Sequence, residues 1–183
     1  MNCPLRVASV LSLLFSASVA LAAPPLPALS AASSELTVSG ISSGGYMAVQ
    51  FQVAYSALVR GAGVLAGGPY YCAEGKVGRA LGNCMAPTKT DGPPAVAETL
   101  KRIEQLAEAK QIDPVKNLND DRVWLLSGGQ DKTVAPAVMD SLAEFYRSVL
   151  PANALLYVKV ADAGHAMLSV ADPKANALSL IHI

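Results

Sequence analysis

Apolar and polar positions along this chain alternate between short apolar runs and longer amphipathic stretches. Runs of strand length lie at about Glu35 to Ser39, Gly61 to Ala66, Arg122 to Leu126 and Ala154 to Val160, each followed by turn-forming residues. Between them, about Gly45 to Leu58 is apolar nearly all round, as a helix buried against a sheet should be. Glu98 to Lys110 keeps Leu100, Ile103, Leu106 and Ala107 on one face and charges elsewhere, which predicts a surface helix. After Pro136, residues Met139, Leu142, Phe145, Tyr146 and Val149 form another stripe at helical spacing. The stretch from Cys72 to Pro94 is rich in Gly and Pro and reads as loop. Strands alternating with helices predict an α/β fold: a mostly parallel sheet of about four strands, flanked on both faces by helices in a three-layer sandwich.

The ends of the chain follow a different pattern. Arg6 followed by the apolar run Val7 to Leu21 and the A-x-A site Ala20-Leu21-Ala22 predicts a secretory signal peptide over 1–22. That run is shorter than a bilayer-spanning helix requires, and Pro24, Pro25 and Pro27 follow it at once. Residues 23–34 are Pro/Ala/Ser-rich and read as a tether, 35–170 as the folded domain, and 171–183 as an atypical tail. The expected protein is therefore exported, to periplasm or medium, with no membrane span once the signal is removed. Export matters for Cys72 and Cys84, because an oxidising compartment favours joining two nearby cysteines in one local disulfide. Chain entropy alone would make such a bridge worth roughly 3 kcal/mol.

Composition narrows the function. Lys plus Arg equals Asp plus Glu at 14 each, and no basic run is interleaved with aromatics, so nucleic acid is not an expected partner. A content of 52% apolar residues in 183 suffices for one core. No His pair stands at i, i+4, no carboxylates cluster at ligand spacing, and no glycine pattern for a nucleotide follows a strand. The reading calls for no metal and no cofactor.

The chemistry centres on Gly40-Ile41-Ser42-Ser43-Gly44, which fits G-x-S-x-G between a predicted strand and a predicted helix. Such an elbow holds Ser42 out of the backbone, and side chains at Gly40 or Gly44 are expected to collide across it. The N–H of Ser43, at the helix start, is the expected first oxyanion donor. In a parallel sheet, reactive residues gather on loops leaving the carboxyl ends of strands. Two further exit loops carry Asp131, in Ser127-Gly128-Gly129-Gln130-Asp131, and His165, in Ala161-Asp162-Ala163-Gly164-His165. The chain order Ser, Asp, His is that of α/β-hydrolases. Ser42 is thus the candidate nucleophile, His165 the base and Asp131 the acid that orients it. Asp120 and Asp121 precede their strand and belong to the opposite edge, Asp162 reads as a turn or cap residue, and Trp124 reads as core. Tyr46, Tyr70 and Tyr71 are candidates for lining a substrate pocket.

Four motifs in order, G-I-S-S-G-G-Y-M-A at 40–48, A-G-G-P-Y-Y-C at 66–72, S-G-G-Q-D-K-T-V at 127–134 and A-G-H-A-M at 163–167, resemble the secreted polyhydroxybutyrate depolymerase-like esterases. The resemblance runs from about Glu35 to Met167. It implies hydrolysis of ester bonds in poly(3-hydroxybutyrate) or its oligomers, with Ser42, Asp131 and His165 matching the triad. It also implies a circularly permuted α/β-hydrolase fold whose remaining strands come after the histidine. On that pattern the chain is expected to be a C-terminally truncated, partial α/β-hydrolase with only half of an oxyanion hole. Other readings remain open at this stage: a feruloyl or acetyl esterase or a peptidase using the same triad, or an inactive fragment or polymer-binding module. Oligomeric state is not legible.

Overall fold

The computed structural model describes residues 32–168, together with Pro25, Pro27 and Ser30. The expected signal peptide, most of the tether and the tail from 171 onward lie outside the described residues, as does His182. From Ala32 the chain forms one unit, which opens with a short 3-10 turn at Ser33–Glu35.

Four strands follow: β1 (Leu36–Ile41), β2 (Val59–Leu65), β3 (Arg122–Gly128) and β4 (Leu155–Val160). All pair in parallel in the order β1-β2-β3-β4. Parallel neighbours need long crossovers, and helices fill them: α1 (Ser43–Ala54) after β1, α3 (Val96–Glu108) after β2, and α4 (Pro136–Val149) after β3. The stretch read as pure loop also holds a short helix, α2 (Val77–Leu81). It buries no residue, so no apolar stripe announced it.

The register separates the two faces of the sheet. Val38, Ala62, Val123 and Leu155 stand level across the strands, and so do Ser39, Gly63, Trp124 and Leu156 one residue on, pointing the other way. The first row belongs to one core shared with Val49 and Val53 of α1, Ile103 of α3 and Met139, Leu142, Phe145 and Tyr146 of α4. The expectation of helices on both faces is therefore not met among the described residues, where α1, α3 and α4 share this single core. Handedness explains it: right-handed crossovers that advance one strand at a time in one direction return to the same face each time. Trp124, expected in the core, is half-buried in the second row, beside exposed Ser39 and Leu156.

Helix α1 is also less enclosed than its composition suggests. Ala48, Val49, Gln52 and Val53 are buried, whereas Met47 and Phe51 are exposed. Phe51 packs on Tyr55, ring centroids 4.8 Å apart, and Met47 faces the cavity described below.

Candidate active site

Ser42 sits between β1 and α1 with φ 57° and ψ −124°, a backbone conformation that costs a non-glycine residue strain. Its N–H donates to Leu65 O at 2.9 Å, tying the turn to the end of β2, and its carbonyl accepts the first helical bond, from Tyr46 N–H. Gly40 is required for this turn, because a Cβ there would lie 2.3 Å from the Gly44 carbonyl group. Gly44 itself is not, contrary to expectation: a Cβ there meets nothing within 4 Å. The second tight position is Gly45, where a Cβ would fall 2.9 Å from Leu65 O. Helix α1 presses on the strand end one residue later than the motif suggests. Ser43 opens α1, so its N–H is among those with no acceptor inside the helix.

Asp131 and His165, distant in sequence, are joined. His165 Nδ1 lies 2.8 Å from Asp131 Oδ2, and both residues are buried. Asp131 Oδ1 accepts from Thr133 N–H at 2.8 Å and Val134 N–H at 2.9 Å. This is an Asx turn, foreshadowed by the sequence Asp-Lys-Thr-Val, and it fixes the carboxylate plane. A carboxylate can only accept, so Nδ1 carries the hydrogen, and in the neutral imidazole the lone pair is then on Nε2. Among the described residues Nε2 is buried with no hydrogen-bond partner, and no hydrogen bond joins it to Ser42 Oγ. Hydrogen bonds of this kind are commonly loose before substrate arrives.

Glycines explain why the acid and histidine loops meet. A Cβ at Gly128 would lie 2.4 Å from Ala163 O, and one at Gly129 would lie 2.5 Å from Ala161 O. With no side chain in the way, Gly129 N–H reaches Val160 O at 2.8 Å and Gln130 N–H reaches Ala163 O at 2.9 Å. The two loops leave neighbouring parallel strands and are laced by backbone bonds. Asp162 is exposed in the intervening turn.

Beside Ser42 opens a cavity of about 490 Å³, within the range of small-molecule sites. Its walls are mostly apolar, among them Met47, Ala80, Met85, Val134 and the disulfide that joins Cys72 to Cys84. Of the three tyrosine candidates, Tyr46 and Tyr71 line it. Tyr70 does not; it is buried in the main core. The Tyr46 hydroxyl donates to Cys84 O, and burial together with the nearby Asp131 charge pushes its pKa up, keeping it neutral. Met47 and Met85 were not foreseen, because apolar positions within a helix or a loop carry no signal that distinguishes a cavity wall from packing. Among the described residues no cluster of His, Cys, Asp and Glu is suited to a metal, and no helix is long and apolar enough to cross a membrane.

A parallel sheet with a serine on a strained strand-to-helix turn and an Asp–His pair on later exit loops defines an α/β-hydrolase fold. No protein-family model matches the chain. It is, however, 48% identical over 164 residues to the poly(3-hydroxybutyrate) depolymerase of Delftia acidovorans, covering 86% of this chain and 31% of that protein. It is 38% identical over 122 residues to the polyhydroxybutyrate depolymerase of Talaromyces funiculosus, covering 66% of this chain and 34% of that one. The crystal structure of the PHB depolymerase from Penicillium funiculosum matches with a TM-score of 0.67 at 30% identity, over 82% of this chain and 46% of the other. A serine-to-alanine variant of a PHB depolymerase, complexed with an R3HB trimer, matches with the same TM-score of 0.67. Over most of its length the chain is thus homologous to polyhydroxybutyrate depolymerases, and it spans about a third of the length of the curated relatives it matches.

Proposed function

We propose that this chain carries the nucleophile, base and acid of an exported serine esterase that cleaves poly(3-hydroxybutyrate) or its oligomers. The observation that carries the reading is the buried 2.8 Å contact between His165 Nδ1 and Asp131 Oδ2, on the strand-end side of the sheet where Ser42 sits. The apolar cavity beside Ser42 supports an aliphatic ester, and the relatives' names supply the polymer.

The reaction proceeds in two balanced halves. His165 Nε2 accepts the Ser42 hydroxyl proton as Oγ bonds to the ester carbonyl carbon, and Asp131 stabilises the resulting imidazolium. Negative charge on the carbonyl oxygen is met at the start of α1, with the Ser43 N–H as one donor. Collapse breaks the carbon–oxygen bond to the alcohol, which leaves with the proton held on Nε2. Water then repeats the sequence on the acyl-serine: it gives its proton to Nε2, attacks the carbonyl, and releases a hydroxy acid and free Ser42. No step requires a cofactor.

Incubation with the soluble 3-hydroxybutyrate trimer tests the reading. Release of monomer and dimer by the wild type, lost in Ser42→Ala, is the expected result. Equal release by both proteins, or none by a folded wild type, would overturn it.

A further inference from the structure

The cavity beside Ser42 has a far wall that belongs neither to the elbow nor to the Asp–His pair. It is the segment between Cys72 and Cys84, closed on itself by the disulfide. Ala73, Glu74, Gly75 and Ala80 of this loop, and Met85 just beyond it, line the cavity.

Among the described residues this loop is tied to the rest of the domain near its two ends, where Asn83 Nδ2 also donates to Gly92 O at 3.0 Å. At one end Tyr71 N–H donates to Gln50 Oε1 at 2.9 Å. At the other, the Tyr46 hydroxyl donates to Cys84 O, and Ala135 N–H donates to Met85 O at 2.8 Å. Both Tyr46 and Gln50 project from α1, the helix that begins beside Ser42. The wall is thus hung from the helix that follows Ser42, with a second tie to the loop that follows Asp131. Between its ends the loop packs on little: α2 buries no residue, and Val77 and Leu81 are exposed. Such a wall, fixed near its ends and lined by Ala73, Gly75 and Ala80 together with Glu74, bounds the space beside Ser42.

The room is larger than one repeat needs. A 3-hydroxybutyrate repeat has about six heavy atoms, on the order of 100–150 Å³ at interior packing density. The cavity of about 490 Å³ therefore exceeds one repeat by a wide margin. At Ala80 the wall presents only a methyl group.

We infer that the disulfide-closed loop 72–84, hung from α1 through Tyr46, sets the length of aliphatic ester chain accepted beside Ser42, with Ala80 and Met85 as the residues that fix the limit. This rests on the esterase reading above and adds the structural origin of its chain-length selectivity. Tyr46 acts here as a positioning residue, through the Cys84 carbonyl.

The test separates binding from turnover. Calorimetric titration of the Ser42→Ala protein with methyl esters of the 3-hydroxybutyrate monomer, dimer and trimer gives a trimer-to-monomer affinity ratio. Adding Ala80→Leu should lower that ratio about tenfold, the discrimination that a single excluded or misfitted methylene commonly brings. Tyr46→Phe, which keeps the ring and removes the anchor, should lower the same ratio, an effect that a merely structural role would not produce. An unchanged ratio in both variants, each melting cooperatively, would overturn the inference, as would failure of the folded Ser42→Ala protein to bind any of the three esters. Failure of the esterase reading is seen separately, as absence of trimer hydrolysis by the wild type.

Discussion

Two buried carboxylates flank β3, Asp121 just before it and Asp131 just after, and they are put to different uses. Asp121 is 0% exposed and Asp131 5%. Both Asp131 oxygens are satisfied, two backbone amides on one and the His165 ring on the other. Asp121 Oδ2 accepts from Gln52 Nε2 at 2.8 Å, while Oδ1 has no partner among the described residues. Gln52 in turn accepts from the Tyr146 hydroxyl at 2.7 Å, so this cluster ties α1 and α4 to the start of β3. Burial pushes the Asp121 pKa up to about 6; the Gln52 hydrogen bond and the Arg60 charge oppose that shift, and Asp120 adds to it. The same burial keeps Tyr146 neutral. Burial of an acid does not by itself mark an active site. What distinguishes Asp131 is an imidazole partner whose second ring nitrogen has no hydrogen-bond partner among the described residues, at the strand end where α1 begins.

The largest expected effect sharpens this contrast. Asp131→Asn should lower ester turnover about 10⁴-fold, because the amide no longer holds His165 in the tautomer that leaves Nε2 free. Asp121→Asn, an equal change in charge at the other end of the same strand, should leave turnover within about twofold. Steady-state rates on a soluble ester compare them directly, and comparable losses would break the distinction.

Stability should reverse the order. Gln52→Leu leaves both the Asp121 carboxyl and the Tyr146 hydroxyl buried without this partner, and should cost about 2–4 kcal/mol in urea unfolding. The pH dependence follows from the same group. Its folded pKa lies above the unfolded value of 3.8, at about 6, so the folded state binds the proton more tightly. That contribution is present below about pH 4 and is lost as pH rises through about 6. The stability of wild type relative to Asp121→Asn should therefore fall across that window; a flat difference would contradict it. A third carboxylate, Asp140, lies at the surface, 2.6 Å from Lys159 Nζ. Lys159→Ala should change stability by no more than about 1 kcal/mol, the smallest effect of the set.

The sheet and the positions of Ser42, Asp131 and His165 were legible because each depends on local chemistry. Apolar runs of strand length, turn residues after them and the G-x-S-x-G pattern are all signals within a few residues. Features that depend on distant contacts were not. Helix α1 ends at Ala54 instead of continuing to Leu58, where Asp113 accepts from Ala57 N–H at 2.9 Å and donates its own N–H to Ala54 O at 3.0 Å. Gln52 looked like one polar position in an apolar helix, since nothing nearby in sequence announces Asp121 or Tyr146. Gly45 rather than Gly44 meets the strand end because the approach of β2 decides the contact. The single-faced helical layer follows from strand order, which periodicity does not encode.

Reaction with a fluorophosphonate probe, read by intact mass and peptide mapping, tests most directly whether Ser42 is activated by the His165–Asp131 pair. One adduct on Ser42 in the wild type, absent in Ser42→Ala and formed far more slowly in His165→Ala and Asp131→Asn, is the predicted result. A folded wild type that takes up no probe, or one labelled as fast without His165 as with it, would contradict the account.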